Sequence, residues 1–147
     1  MKVLLQRVSQ ASVSINGARV AHIGRGLVAF VGIAKGDTES DAHYLMEKLV
    51  NLRIFPDKEG KLNLSALDIN GEILAVSQFT LLADTRKGRR PSFSQAAEAT
   101  QAEELFKHFV ELAEATGLKV ETGRFQQHML VEIHNQGPVT ILLESKI

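Results

Sequence analysis

Ser77-Gln78-Phe79-Thr80 places three polar side chains in an otherwise apolar, strand-like run. A central strand does not need them, so they are candidates for chemistry. A solvated strand edge accounts for them equally well. Gly137-Pro138 interrupts two further strand-like runs, where a hairpin turn is the simplest reading. Thr85 to Pro91 carries Arg86, Lys87, Arg89 and Arg90, which alone reads as a solvated loop. Familiar catalytic signatures are missing. There is no GxSxG elbow and no Walker loop. Gly24-Arg25-Gly26 lacks the third glycine of a dinucleotide fingerprint. The histidines are His22, His43, His108, His128 and His134, and none pairs with another at metal-ligand spacing. An enzyme with this sequence does not advertise a general base.

The elements that must position these residues are mostly strands. Residues 2–8 and Ala11–Ile15 read as strands, and Asn16-Gly17 is a strong hairpin signal. Ala18–Ile23 returns, and Leu27–Ala34 is an apolar run of strand length. Thr38 with Asp41 forms a capping box for a helix whose apolar stripe is Ala42, Leu45, Met46, Leu49 and Val50. Ile54-Phe55-Pro56 reads as a short strand and Asp57–Gly60 as a turn. Asn70-Gly71 launches a strand over Glu72–Leu82. Thr100 with Glu103 predicts a second helix start, and Gly117 a left-handed C-terminal cap. Lys119–Thr122, Met129–Asn135 and Val139–Glu144 complete the strands. The pattern lacks βαβα alternation. It predicts one α+β domain over 1–147, strand-rich, with two main helices on a sheet or barrel-like core.

The chain has 147 residues, 44% of them hydrophobic and 23% charged, which suits one globular domain. It has no cysteine, which excludes disulfides and thiolate metal sites and agrees with a cytoplasmic setting. No apolar run is long enough to span a membrane. Met1-Lys2-Val3-Leu4-Leu5 starts like a signal peptide, but Gln6 and Arg7 interrupt it. Net charge is zero, from 17 basic and 17 acidic residues, which argues mildly against a nucleic-acid partner.

Ser77-Gln78-Phe79-Thr80-Leu81 and Asn135-Gln136-Gly137-Pro138-Val139-Thr140, about 60 residues apart, resemble the paired signature motifs of the D-aminoacyl-tRNA deacylases. Arg7, Arg53-Ile54-Phe55, Arg90-Pro91-Ser92-Phe93 and Thr122-Gly123-Arg124-Phe125 extend the similarity from end to end.

The resemblance implies a homodimer of α+β subunits with active sites at the interface. It implies a cis Gly137-Pro138 bond inserted into the partner's pocket, where main-chain carbonyls exclude an L side chain and admit a D one. Glycine, with no side chain, should also enter. Arg7 takes the place of the family arginine that orients this motif. Main-chain N–H groups near Phe79 and Thr80 would face the ester's developing oxyanion, with Gln78 as a further donor and Ser77 in the same wall. Thr80 invites a nucleophile reading, but no base is visible to activate it. The terminal 2′-hydroxyl of the tRNA is the better candidate for activating water. Met129, with Phe79 and Phe125, would meet the terminal adenine. Arg86, Lys87, Arg89 and Arg90 would contact phosphates. Neither a metal nor a cofactor is implied. The rival readings are a general D-amino-acid esterase and a nucleic-acid-binding module without catalysis.

Overall fold

The computed structural model describes residues 1–146. Strand β1 spans Lys2–Ile15 without a break, merging two runs that the sequence presents separately. It serves as the spine of the sheet. The Asn16-Gly17 hairpin, with both residues at positive φ, returns the chain into β2, Ala18–Ile23. β3 is Gly26–Gly32 and pairs with the first half of β1, while β2 pairs with the second half. β6 (Glu72–Ser77) lies parallel to β3, and β7 (Val120–Thr122) parallel to β6. β2 lies near β6 and β7 at the far end of the strand order, so the sheet curls until it is nearly closed. Glu72 helps hold this closure, because its carboxylate accepts the Gly24 N–H at 2.7 Å. β4 (Phe55–Pro56) and β5 (Leu62–Leu64) form a small separate ribbon.

Alternation along the strands divides the core in two. Val3 and Leu5 of β1 and Leu27, Ala29 and Val31 of β3 face the helices. They meet Leu45 and Leu49 of α1 (Glu39–Asn51) and Phe109 of α3 (Ala99–Ala115). Val8, Val13, Ile23, Val28 and Leu74 fill the inside of the curl. The architecture is therefore the α+β domain expected, with helices against a barrel-like sheet.

Helix α1 starts as predicted: the Asp41 carboxylate accepts the Thr38 N–H at 2.8 Å. The other capping box is corrected. Helix α3 begins at Ala99 with Glu98 at the cap, because Ala102 N–H already bonds Glu98 O at 2.9 Å. Thr100 therefore sits inside the first turn. Gly117 adopts the expected positive φ, 86°. A third helix, the single turn α2 (Ala66–Ile69), was not anticipated; Ser65 and Asp68 cap each other's backbone.

Two corrections bear on the site. The strand predicted over Glu72–Leu82 stops at Ser77, and Phe79–Leu82 forms a 3-10 turn. Gln78 N–H still bonds Val31 O at 2.8 Å, and then Leu81 N–H folds back onto Gln78 O at 3.2 Å. The turn packs onto Gly32, where a Cβ would stand 2.6 Å from Leu82 Cδ2 and 2.9 Å from Leu81 Cβ. Second, the last two predicted strands are one strand, β8 (Leu130–Glu144), paired with β1 at both of its ends. Gly137-Pro138 is a bulge within it and not a hairpin turn.

The α-ammonium of Met1 is buried against Asp37 at 2.8 Å, and Lys146 reaches the other Asp37 oxygen at 3.1 Å. This pairing ties the start of β1 to the entry of α1. Among the described residues no helix is long and apolar enough to cross a membrane.

Candidate active site

The bulge in β8 is set by register. Gln6 faces Thr140 and Val8 faces Asn135, so one residue of β1, Arg7, spans four of β8. The excess chain is held by its own side chains. Asn135 Oδ1 accepts the Val139 N–H at 3.2 Å, and Asn135 Nδ2 donates to Thr140 Oγ1 at 3.0 Å. Gln6 Nε2 donates to the same hydroxyl at 3.0 Å. Arg7 closes the arrangement from β1. Its Nε donates to Gln136 O at 3.0 Å and its Nη1 to Ile54 O at 2.7 Å. A planar fork suits two carbonyls held in fixed directions. The Gly137-Pro138 bond is cis, and Gly137 has φ +129°. Arg7, Gln136 and Gly137 line one side of a cavity of about 510 Å³ that Arg25 and Phe55 face.

Ser77, Gln78 and Phe79 build a different cavity, of about 490 Å³, whose lining does not include Thr80. Ser77, Gln78 and Phe79 form one wall, and Phe125 and Met129 form another. The start of α3 supplies Ala99 and Ala102. Met129 is fixed by its sulfur, which accepts the Arg124 N–H at 3.3 Å. Phe79 is more than half exposed and meets Phe93 edge-on, with ring centroids 5.0 Å apart. The first N–H groups of a helical turn have no partner within the turn. Here they belong to Phe79 and Thr80, the residues expected to offer such donors. Thr80 is exposed, and Gln78 Nε2 donates to its hydroxyl. That amide cannot accept the proton a nucleophilic hydroxyl must lose. Among the described residues, no histidine or carboxylate bonds Thr80.

The two cavities share no lining residue. Within one chain, the Ser77–Thr80 turn and the Gly137-Pro138 bulge are not brought together. His128 lines the second cavity, a position that sequence reasoning did not single out.

The basic run lies on a loop closed by mutual backbone bonds between Asp84 and Ser92, at 2.8 and 2.9 Å. Arg86 does not project freely. It forks onto Asp84 with bonds of 2.9 and 2.7 Å. Those bonds, first from the Arg86 side chain and then from its N–H, hold the Asp84 carboxyl down at about 2. A carboxylate depressed in the folded state stabilises above its unfolded value, 3.8, and loses that contribution as pH falls through about 2. The fork is thus intact at neutral pH. Lys87, Arg89 and Arg90 are exposed and make no ion pair among the described residues.

Two of the histidines, far apart in sequence, meet in space. His43 on α1 and His108 on α3 place their Nε2 atoms 3.4 Å apart.

The sequence profile of a family described as D-Tyr-tRNA(Tyr) deacylase matches residues 4–144. A D-aminoacyl-tRNA deacylase of Dehalococcoides mccartyi is 54% identical over 146 residues, covering 99% of this chain and 95% of that one. The Halothermothrix orenii protein of the same name is 57% identical over 145 residues, covering 99% and 97%. Among solved structures, a c-Myc DNA unwinding element binding protein superposes with TM-score 0.94 at 41% identity over 100% of both chains. A probable eukaryotic D-amino acid tRNA deacylase superposes with TM-score 0.84 at 19% identity, covering 97% and 98%, a likeness of fold alone.

Proposed function

The chain belongs to the D-Tyr-tRNA(Tyr) deacylase family, hydrolases of the aminoacyl-tRNA ester, and from that premise we propose that it cleaves D-aminoacyl-tRNA by main-chain selection. The observation that carries this reading is the built bulge at Gly137-Pro138. Arg7 and Asn135 hold it with three hydrogen bonds, and a fourth anchors Arg7 to the Ile54 carbonyl. Such a device presents backbone, not side chains, to whatever approaches it. Carbonyls beside the substrate α-carbon leave no room for an L side chain and let a D side chain project away. Specificity then comes from repulsion and is indifferent to side-chain identity. Glycyl-tRNA has nothing to repel and should be cleaved too.

Separate cavities support a homodimer. A site that uses both motifs needs the bulge of one chain in the Phe79–Met129 cavity of another. β8 favours this, since its pairing with β1 leaves its other edge open and none of its residues is fully buried. In such a site the Phe79 and Thr80 N–H groups polarise the ester carbonyl, and Gln78 supplies a further donor. Ser77 completes that wall, and Met129 and Phe79 receive the terminal adenine. The terminal 2′-hydroxyl of the tRNA positions the attacking water.

A D-aminoacyl-tRNA ending in 2′-deoxyadenosine tests that chemistry. The rate should collapse on it. A general D-amino-acid esterase would cleave it, and simple D-amino-acid esters, at an undiminished rate. Thr80→Ala should keep substantial activity, within about tenfold of wild type, because a lost neutral hydrogen bond is worth about 0.5–1.5 kcal/mol. Complete loss with tRNA binding intact would establish the threonine nucleophile instead.

Lys87, Arg89 and Arg90 are the phosphate contacts in this account, and Arg86 mainly shapes their loop. Reversing the three to Glu should weaken tRNA binding roughly tenfold or more and flatten its salt dependence, because fewer counterions are released. Adding Arg86→Glu should act mainly through the lost Asp84 fork. Binding measured from low to high salt checks both. The similarity to a DNA unwinding element binding protein favours a second reading, nucleic-acid binding without turnover. Ester hydrolysis separates the two.

A further inference from the structure

His43 and His108 are 65 positions apart in sequence and meet only because α1 packs against α3. Their Nε2 atoms are 3.4 Å apart, and the ring centroids 5.3 Å with an interplanar angle of 58°. A hydrogen bond of that length is weak, since even N–H···O bonds in proteins run only to about 3.2 Å. The spacing suits another occupant. Zinc binds imidazole nitrogen at about 2.0–2.1 Å in a tetrahedral array, which sets two ligand nitrogens about 3.3–3.4 Å apart. Both rings present Nε2 to each other. Glu39 stands one helical turn before His43 on the same face of α1. Its Oε2 lies 3.9 Å from His108 Nε2. The Glu39 side chain is 74% exposed, so a change of rotamer is open to it. Among the described residues no three such side chains converge on a metal position as they stand. Rotation of Glu39 is the step that would close the set.

We propose that His43, His108 and Glu39 form a surface site for one divalent transition-metal ion, with Zn²⁺ the best fit and water in the remaining position. Two neutral imidazoles and one carboxylate suit a borderline-soft dication better than Mg²⁺ or Ca²⁺, which prefer oxygen ligands. The ion would join α1 to α3. It lies outside both cavities, whose linings include none of these three residues. Its expected role is to staple the helical layer, whose α3 start lines the Phe79–Met129 cavity.

Chelator-treated, untagged chain is titrated with ZnCl₂ by calorimetry and melted with and without it. One Zn²⁺ should bind per chain and raise the melting temperature. His43→Ala and His108→Ala should each weaken binding by at least about tenfold, the scale seen even for groups that only support a ligand. Glu39→Gln should weaken it less, and His22→Ala should leave it unchanged. His43 is exposed on a helix, so His43→Ala does not threaten folding. Absence of Zn²⁺ uptake by the wild-type chain, or uptake that His43→Ala and His108→Ala leave unchanged, overturns the proposal.

Discussion

Gly137→Ala should reduce D-aminoacyl-tRNA hydrolysis by about 10²-fold, the cost of misplacing a reacting group by about 1 Å. A Cβ at this position would stand 2.8 Å from Arg7 Nη2, 3.0 Å from Val139 Cγ2 and 3.2 Å from Val139 N. The backbone φ of +129° is also one that L residues rarely adopt, at a cost of about 1–3 kcal/mol. Arg7 must withdraw or the bulge must relax, and either outcome shifts the carbonyls that the account places at the substrate. The fold should survive, because Gln136, Gly137 and Pro138 are exposed on an edge strand and only Val139 of the bulge packs against a core. Single-turnover hydrolysis of D-tyrosyl-tRNA, with thermal melts as control, reads both. Wild-type rate in a folded Gly137→Ala variant would reduce the motif to a structural bulge.

Arg7→Ala should also cost about 10²-fold, and mainly in kcat. The guanidinium is the one group that links the bulge, through Gln136 O, to the Ile54 carbonyl before β4. A hydrogen bond from a charged donor is worth about 1.5–3 kcal/mol, so two such bonds resist any drift of the bulge. Arg7 acts here as a positioning residue. KM for tRNA should change little, whereas loss of a phosphate contact would raise KM and alter its salt dependence. Arg7→Lys should recover only part of the rate, because an ammonium has no planar fork for two carbonyls. Since the new methyl of Gly137→Ala would meet Arg7 itself, the two substitutions should be markedly non-additive. Additive effects would show that they act on separate steps.

How much of this was legible in the sequence varies with the physics of each element. The Thr38–Asp41 cap could be read because a clear apolar stripe follows it. The same pattern at Ser65–Asp68 was overlooked because α2 is a single turn with no stripe. Thr100 and Glu103 matched the pattern but lie inside α3, since the Glu98 carbonyl accepts the first helical bond. Gly137-Pro138 reads locally as a turn. It is a bulge because β1 continues past it and pairs with β8 on both sides, a long-range fact. The end of β6 depends on Gly32, which leaves room for Leu81 and Leu82. The motif residues were legible through family resemblance, and Ser77, Gln78, Phe79 and Met129 do share a cavity. That Arg86 is bound to Asp84 needed the loop's geometry. The His43–His108 contact left no trace in spacing, because helix packing alone creates it.

Rates of ester hydrolysis on matched D- and L-tyrosyl-tRNA test the central claim most directly. The account predicts rapid release of D-tyrosine, with the L ester left intact to within the rate of spontaneous hydrolysis. Hydrolysis of both esters at similar rates would contradict selection by the Gly137-Pro138 main chain. Binding of both tRNAs with neither ester cleaved would contradict the deacylase reading itself.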